Sequence, residues 1–272
     1  MGPLSQVRAG GSLVLFMALL ALPFSAASAA TFPSFTLNPA AVPLNGAQFT
    51  ADNIVVSDFS TITFTSGTPT TARNFTDVGF LPITSFQNQT ATVNPTGLNT
   101  NGGYGLYFKF SGTGTQNVPN LDKSSNGTLN NVTFSLYGFN QTGTVSFNPN
   151  GQTTSGITNP TLLSTGSLIN GNVFTNATPS GLIPGASAVV AFTPVFGEQA
   201  FFVAPKPFYL DITTAFTNTF SAIGTLPGLD GFTINGGGGQ ANFFTPIPEP
   251  ASLLVLSAGL GAVGLLRRRA RA

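Results

Sequence analysis

The chain has no cysteine, no histidine and no tryptophan among its 272 residues, and only 6% of its residues are charged. Without cysteine it forms no disulfide and offers no thiolate nucleophile or thiolate metal ligand. Without histidine it has no imidazole ligand and no serine–histidine catalytic pair. Stability must therefore come from the hydrophobic core alone, and the 26 phenylalanines supply much of its apolar surface.

The few charges are unevenly distributed along the chain. Residues 30–245 hold four basic and seven acidic residues, a net charge of −3, although the whole chain is formally +1. The remaining basic residues lie in the two terminal segments: Arg8, Arg267, Arg268, Arg269 and Arg271. A nucleic-acid partner is disfavoured because the body has no basic patch. Its surface must consist mainly of neutral hydroxyl and amide groups, which are common in extracellular adhesive or sugar-associated proteins.

Residues 1–29 have the features of a secretory signal peptide. Arg8 supplies positive charge, residues 13–23 form an apolar stretch, and Ala27 and Ala29 fit a small-residue cleavage site. We predict a signal helix that directs export and is then removed. The alternative is a signal anchor that is never cleaved.

The C-terminal segment predicts a short membrane helix with a basic stop. Residues 251–266 form an apolar run of 16 residues, which as a helix reaches about 24 Å, slightly less than a hydrocarbon core of about 30 Å. Flanking arginines can snorkel to make up part of the difference. By the positive-inside rule the tail stays cytoplasmic and the body lies across the membrane. The arginines of this stop are Arg267, Arg268, Arg269 and Arg271.

Residues 246–272 also resemble the PEP-CTERM sorting signal of Gram-negative bacteria. The resemblance lies in the order of Pro248-Glu249-Pro250, a glycine-containing apolar helix and a terminal arginine cluster. In that family an exosortase, an integral-membrane sorting enzyme, recognises the signal and is thought to remove the tail. The resemblance implies that Pro248, Glu249 and Pro250 are the recognition element and that the exosortase is a partner. The alternative is an ordinary tail anchor behind a proline-rich linker.

The body, residues 30–245, shows the two-residue apolar period of half-buried antiparallel strands. Leu106, Phe108 and Phe110 should face one way, with Tyr107 and Lys109 facing the other. The same alternation occurs at residues 62–65, 132–136, 145–147 and 210–213, and no segment has the period and caps of a helix. We predict an all-β body, a single antiparallel β-sandwich or jelly-roll-like domain.

Asn-Gly steps predict the turns between these strands, because both residues tolerate a positive φ. They occur at residues 101–102, 126–127, 150–151, 170–171 and 235–236. The glycines of residues 236–239 lack the lysine and the following helix of a phosphate-binding loop, so we predict a flexible loop there.

The body itself resembles the flocculation-associated PEP-CTERM proteins of exopolysaccharide-making bacteria. The similar segments are TFPSFT at residues 31–36, FTADNI at residues 49–54 and GGYGLY at residues 102–107. The resemblance implies a role in cell aggregation, flocculation or biofilm formation within a polysaccharide matrix. It brings no catalytic residues with it.

Two kinds of chemistry remain to be weighed. A glycosidase needs two carboxylates facing one bond, and the acids of the body are scattered singly along the sequence. Residues 122–127 resemble the first half of a calcium loop, but Lys123 is unfavourable and position twelve is Thr133 rather than glutamate. A polar turn with Asp122 hydrogen bonds is the better interpretation. We therefore predict no catalytic, metal or cofactor-binding residues.

These observations together predict an exported, non-enzymatic surface or matrix protein. Its partners would be exopolysaccharide or a neighbouring cell surface, and it would be anchored in the inner membrane only in transit. One alternative is a carbohydrate-binding module for a defined glycan, which should show exposed aromatic rings in a groove. A less favoured alternative is a secreted hydrolase, which should bring two or more acids together in one pocket.

Overall fold

The structure, a computed structural model, describes residues 34–89, 91–93, 97–150, 152–179, 181–204, 209–215, 223–225 and 230–244. Within these ranges, no helix has the length and apolar character needed to cross a membrane. The remaining predictions concern residues outside the described ranges: the signal cleavage residues Ala27 and Ala29, the sorting motif Pro248, Glu249 and Pro250, and the arginines Arg267, Arg268, Arg269 and Arg271.

The described residues form β-strands and two short 3₁₀ turns, Pro39–Ala41 and Gln199–Phe201, so the all-β prediction is confirmed. The strands are β1 (Phe35–Leu37), β2 (Phe49–Ala51), β3 (Asn53–Phe64), β4 (Arg73–Asn88), β5 (Ala91–Val93), β6 (Tyr104–Gln116), β7 (Ser125–Asn140), β8 (Ser146–Asn148), β9 (Thr153–Ser155), β10 (Thr161–Thr178), β11 (Gly181–Pro194), β12 (Phe202–Ala204), β13 (Tyr209–Ala215), β14 (Ile223–Thr225) and β15 (Gly231–Phe244).

The long strands form one antiparallel sheet that curls and closes on itself. Its order is β13-β11-β10-β7-β6-β4-β3-β15, and β15 also pairs with β13. At this seam Leu210 pairs with Phe243, while on the other side of β15 Ala241 pairs with Ile54 of β3. Short β5 and β14 add to β4 and β15. Opposite walls of the sheet therefore face each other across a shared core, as the two layers of a sandwich do.

The two-residue period places the side chains as predicted. On β6, Leu106 and Phe108 are buried in the core and Lys109 is exposed on the other face. Tyr107 also points away from the core, but it is buried there, because the β8–β9 hairpin packs over this part of the outer face. The alternation thus identifies the face of a side chain correctly, but not whether that face is covered.

The enclosed core has two apolar parts. The larger includes Phe86 and Phe108, and the small β12-β1-β2 sheet covers it by inserting Phe35 against Phe86 and Phe243. The smaller lies towards the other end of β3 and consists of Ile62, Phe75 and Ile234 with the partly buried side chains around them. The stretch of the interior between these two parts contains polar side chains.

The Asn-Gly steps predict turns correctly only in part. Gly102 lies in a turn with φ +82°, as expected. The steps at residues 126–127, 170–171 and 235–236 instead lie inside β7, β10 and β15, so the turn prediction is wrong there. At the third step Gly236 has φ +86° and the pairing shifts between Asn235 and Gly237, which is a β-bulge.

The predicted loop over residues 236–239 is also wrong, because these glycines belong to β15. Gly237, Gly238 and Gly239 pair with successive residues of β3, and Gly239 also pairs with β13. These ladder hydrogen bonds, on one side of Gly237 and Gly238 and on both sides of Gly239, outweigh the conformational freedom of glycine, which otherwise disfavours a strand.

Candidate functional site

An aromatic cluster lies on the outer face of the closed sheet. Phe80, Tyr107 and Phe139 are buried there on β4, β6 and β7, and Phe147 of β8 packs over them. The rings of Tyr107 and Tyr137 stack with centroids 5.3 Å apart and planes 15° from parallel. Burial, together with nearby Tyr137, raises the pKa of the Tyr107 hydroxyl to about 12. The cluster therefore holds the β8–β9 hairpin against the sheet through ring contacts.

The hairpin is also held by a hydrogen bond outside the cluster. The Thr61 hydroxyl of β3 donates to the Pro149 carbonyl at 2.8 Å. Gly105 on β6 leaves the space that the Phe139 ring occupies, because a Cβ at Gly105 would overlap that ring. The Thr61–Pro149 bond fixes the hairpin relative to β3, and Gly105 allows the Phe139 ring of β7 to lie over β6 within the cluster.

A groove of about 590 Å³ runs beside this cluster. One wall comes from β4 at residues 82–84 and another from residues 141–145 and Phe147. The third wall is the loop before β6, which contributes Asn99 and Asn101. The groove is large enough for a small organic ligand, since such pockets span about 300–1,000 Å³.

The loop before β6 is held in place by several hydrogen bonds. Asn99, at φ +53°, donates from Nδ2 to the carbonyls of Ile83 (2.9 Å) and Thr84 (3.2 Å). The amide of Gly102 donates to the Gln141 carbonyl at 2.8 Å, and the amide of Gln141 donates to the Gly103 carbonyl at 2.9 Å. The groove therefore has a preformed polar wall.

The groove offers amides and hydroxyls next to aromatic rings. Asn101 is exposed and makes no side-chain hydrogen bond within the described residues, so its amide is available to a ligand. Thr144 is exposed beside half-buried Phe147, and Phe139 closes the base. Amide and hydroxyl groups bind sugar hydroxyls, and ring faces pack against the apolar faces of sugars. Phe139 is buried and Phe147 is half-buried, so these rings are not the exposed rings expected of a module for a defined glycan.

The interior of the sheet holds a second polar constellation. Asp58 and Ser60 of β3 and Asp77 of β4 point inwards, between the two apolar parts of the core. Asp58 and Ser60 are 4% and 0% exposed, while Asp77 keeps part of its surface accessible although its Oδ1 is buried. One oxygen of each side chain, Asp58 Oδ1, Ser60 Oγ and Asp77 Oδ1, has no hydrogen-bond partner.

Burial disfavours the charged form of both carboxyls. It raises the pKa of Asp58 from an ordinary value of 3.8 to about 7. Burial, and then repulsion by Asp58, raises the pKa of Asp77 well above its usual range. The nearby Ser60 hydroxyl opposes both rises, although it does not reach hydrogen-bond geometry with either carboxyl. The pair therefore retains protons at a pH where an exposed pair is fully ionised.

Small residues make room around these acids. Asp58 pairs with Gly237 on β15, Asp77 pairs with Gly112 on β6, and Ser60 pairs with Gly79 on β4. Two cavities of about 70 and 40 Å³ adjoin the acids, and both Asp58 and Asp77 line both of them. In the sequence these acids are scattered singly, so their spacing does not predict their proximity. One sequence feature does indicate that they lie close together: each occupies an inward position in the two-residue period of its strand.

The calcium-loop candidate forms a turn. Asp122 Oδ1 accepts hydrogen bonds from the Ser124 amide (2.9 Å) and hydroxyl (2.6 Å), which lower the pKa of this exposed carboxyl. Lys123 sits at φ +67° within the turn. These are the hydrogen bonds of the Asx turn that was the favoured interpretation. Within the described residues, no three acidic side chains form a group that could hold a metal ion.

The chain matches no family model, no curated protein and no solved structure.

Proposed function

We propose that this chain is an exported, non-catalytic surface or matrix protein that binds polysaccharide through the groove beside the outer aromatic cluster. Residues 1–29 would direct export, residues 30–245 would form one β-sandwich-like domain, and residues 246–272 would be the sorting signal of an exosortase. The protein would support aggregation, flocculation or biofilm formation by a Gram-negative cell. Its membrane contact would last only until the tail is removed.

The single observation that carries the binding role is the composition of the groove. Available amide and hydroxyl groups, such as those of Asn101 and Thr144, lie beside the Phe139 and Phe147 rings. No charged residue lines this groove among those described, so it suits neutral or weakly charged sugar chains better than phosphate or nucleic acid. A matrix protein needs many weak contacts of this kind rather than one tight site.

The groove is tested with Asn101→Ala. Asn101 makes no side-chain hydrogen bond within the described residues, so its loss should leave the fold intact. We expect several-fold weaker retention of the full-length protein on exopolysaccharide from the producing bacterium. Asn131→Ala, which removes an exposed amide from β7 away from the groove, is the matched control and should bind normally. Equal retention of both variants would exclude the groove.

The cellular role is tested by deleting the gene and measuring settling or aggregation of the cells. We expect slower settling, restored by the intact gene but not by a copy carrying Glu249→Ala. Unchanged settling after deletion would refute the matrix role. Normal tail removal and surface delivery of the Glu249→Ala protein would refute sorting through this motif while leaving the binding role open.

The defined-glycan alternative uses the same groove and differs in selectivity. A module for one glycan should bind one oligosaccharide at least tenfold more tightly than the others, whereas a matrix protein should bind related polymers similarly. An oligosaccharide array separates the two. The Phe139 and Phe147 rings line the groove, but one is buried and the other half-buried, so they do not supply the exposed rings that such a module requires.

The hydrolase alternative has one observation in its favour, the convergence of Asp58 and Asp77 on the same cavities. A glycosidase, however, needs one ionised carboxylate opposite one acid across the scissile bond. Burial raises the pKa of both groups, and the larger cavity of about 70 Å³ holds only about five waters at 10–15 Å³ each. Release of reducing sugar that is lost in Asp58→Asn would reverse this ranking.

A further inference from the structure

The interior constellation of Asp58, Ser60 and Asp77 has more acceptor atoms than the protein uses. Three oxygens, Asp58 Oδ1, Ser60 Oγ and Asp77 Oδ1, are buried without a hydrogen-bond partner. A buried polar atom left unpaired costs about 1–3 kcal/mol, so three in one place require an explanation. Ser60 is fully buried and is not an acid, so the deficit is not only a matter of carboxylate repulsion.

We propose that this interior constellation binds a small organic ammonium ion that carries a short apolar tail. An ammonium group has three N–H donors and no acceptor. These donors match the three unpaired oxygens in number. The tail would lie in the larger cavity, against its apolar side chains, with Gln116, Ser125 and Thr175 on the remaining wall.

The charge around the constellation fits a cation. Among the described residues neither cavity is lined by lysine or arginine. The terminal nitrogens of Arg73 are engaged elsewhere: they bond Asp230 at 3.3 Å and Gln116 at 3.1 Å, and the guanidinium stacks on the Phe64 ring, while its buried Nε has no partner. Asp58 and Asp77 therefore have no positively charged side chain beside them in these cavities, and a bound cation would supply that charge.

The larger cavity fits a short apolar tail. It is partly open and is lined mainly by apolar side chains, and its volume of about 70 Å³ accommodates about five water-sized groups. Butylammonium, with five non-hydrogen atoms, is a probe of this size. The apolar side chains that line the cavity are Ile62, Phe64, Phe75, Val173, Phe174, Phe232 and Ile234.

A calcium ion fits the same oxygens less well. Calcium takes six to eight oxygen ligands, more than an ammonium group needs. The interior offers two carboxyls and one hydroxyl, and the backbone carbonyls of β3 and β4 are used in the sheet ladders. A bare metal ion buries no apolar surface against the cavity wall, whereas an alkyl tail does and is stabilised by that burial.

The proposal is tested by titrating the full-length protein with butylammonium, with 1-butanol as a neutral probe of equal size, and with calcium. Calorimetry or NMR shifts of the interior residues report binding. We expect saturable binding of butylammonium, at least tenfold tighter than that of 1-butanol. No binding at tens of millimolar, equal binding of 1-butanol, or binding of calcium instead would each overturn the proposal. The first result would mean that water fills the interior.

Two variants locate the site. Asp77→Asn keeps the shape, removes one carboxylate and should weaken butylammonium binding at least tenfold, while Asp122→Asn, in an exposed turn, should bind like the original chain. Removal of a buried carboxyl is expected to stabilise the fold. Loss of binding together with a raised melting temperature would therefore show that a binding group was lost and that the variant is still folded. Ser60→Ala should weaken binding less, because it removes a neutral acceptor. Unchanged binding in Asp77→Asn would refute the site.

Discussion

Two levels of the enclosed core are built on the same strands and packed very differently. At one level Phe35, Phe86 and Phe243 are fully buried, and their rings meet edge to face at 5.1–6.2 Å between centroids. At the other, Asp58 and Asp77 lie among glycines and border two cavities. The β3–β4 ladder extends through both levels, but its register shifts between Val55 and Val56 and it breaks between the pairs Val56–Ile83 and Phe59–Phe80.

The difference shows that strand pairing and core packing are separate requirements. After the break at Asp58 the β3–β4 ladder resumes with Phe59–Phe80 and Ser60–Gly79, because backbone hydrogen bonds do not depend on which side chains face inwards. Stability is therefore concentrated at the aromatic level, and the polar level lowers it. A polar level that is retained despite its cost is a better candidate for binding than the packed level.

The largest effect should come from emptying the aromatic level. Phe86→Ala removes a fully buried ring that contacts Phe35 and Phe49. We expect a loss of about 3–5 kcal/mol in the free energy of unfolding, measured by urea denaturation. Val118→Ala, at a 59% exposed position, should change it by less than about 0.5 kcal/mol. A small loss of unfolding free energy in Phe86→Ala would mean that the aromatic level is packed no more tightly than the polar level.

The next effect concerns pH and the carboxyls of the polar level. The pKa of Asp58 rises from 3.8 to about 7 on folding, so the folded state holds its proton more tightly. Stability should be greatest below pH 4 and fall as pH rises to about 7, by up to about 1.4 kcal/mol per pH unit for one carboxyl. Denaturation of the Asp58→Asn, Asp77→Asn double variant should lack this slope. An unchanged slope would place its origin elsewhere.

A smaller effect tests how closely β3 and β4 approach at the polar level. A Cβ on Gly79 would lie 2.6 Å from the Cα and Cβ of Ser60, and closer still to the Phe59 carbonyl. Gly79→Ala should therefore push the strands apart and cost about 1–3 kcal/mol in thermal denaturation. Gly143→Ala, where a Cβ would meet nothing within 4 Å, is the control. Equal melting temperatures would show that the cavities absorb the added methyl group.

The smallest effect should come from the ion pair of Arg73 and Asp230 near the polar level. Their atoms lie 3.3 Å apart, but the Asp230 side chain is 54% exposed, so solvent screens the attraction. Asp230→Asn should cost less than about 1 kcal/mol at low salt. The difference should vanish at 1 M salt, where the Debye length is about 3 Å. A larger, salt-independent loss would indicate that the pair is effectively buried.

The sequence predicts the strands and their faces better than it predicts their partners. Alternation identifies the inward side chains of β6, such as Leu106 and Phe108, because a pleated strand has only two faces. Closure between β13 and β15 is not predictable in this way, because it depends on curvature accumulated around the sheet. The Asn-Gly steps in β7, β10 and β15 mislead for a related reason: strand pairing, on both sides in β7 and on one side in β10 and at Asn235, overrides a local preference.

The candidate sites are less predictable than the fold. The groove joins residues from β4, β7 and two loops, so its amides and rings are adjacent only after folding. Asp58 and Asp77 each occupy an inward position of an otherwise unremarkable strand. A charged residue at such a position conflicts with the local pattern, and that conflict is the signal in the sequence that marks a site.

The pairing of β3 with β15 also sets the order in which the molecule can assemble. Ile54 of β3, the first long strand, pairs with Ala241 of β15, the last strand. β3 can therefore form its second ladder only after β15 is in place. Pairing across so long a stretch of chain is slow. Until then one edge of β3 is unprotected, and the low charge of the body does little to prevent association with another chain. Crowding of newly made chains should therefore promote edge-to-edge association before β15 has paired with β3.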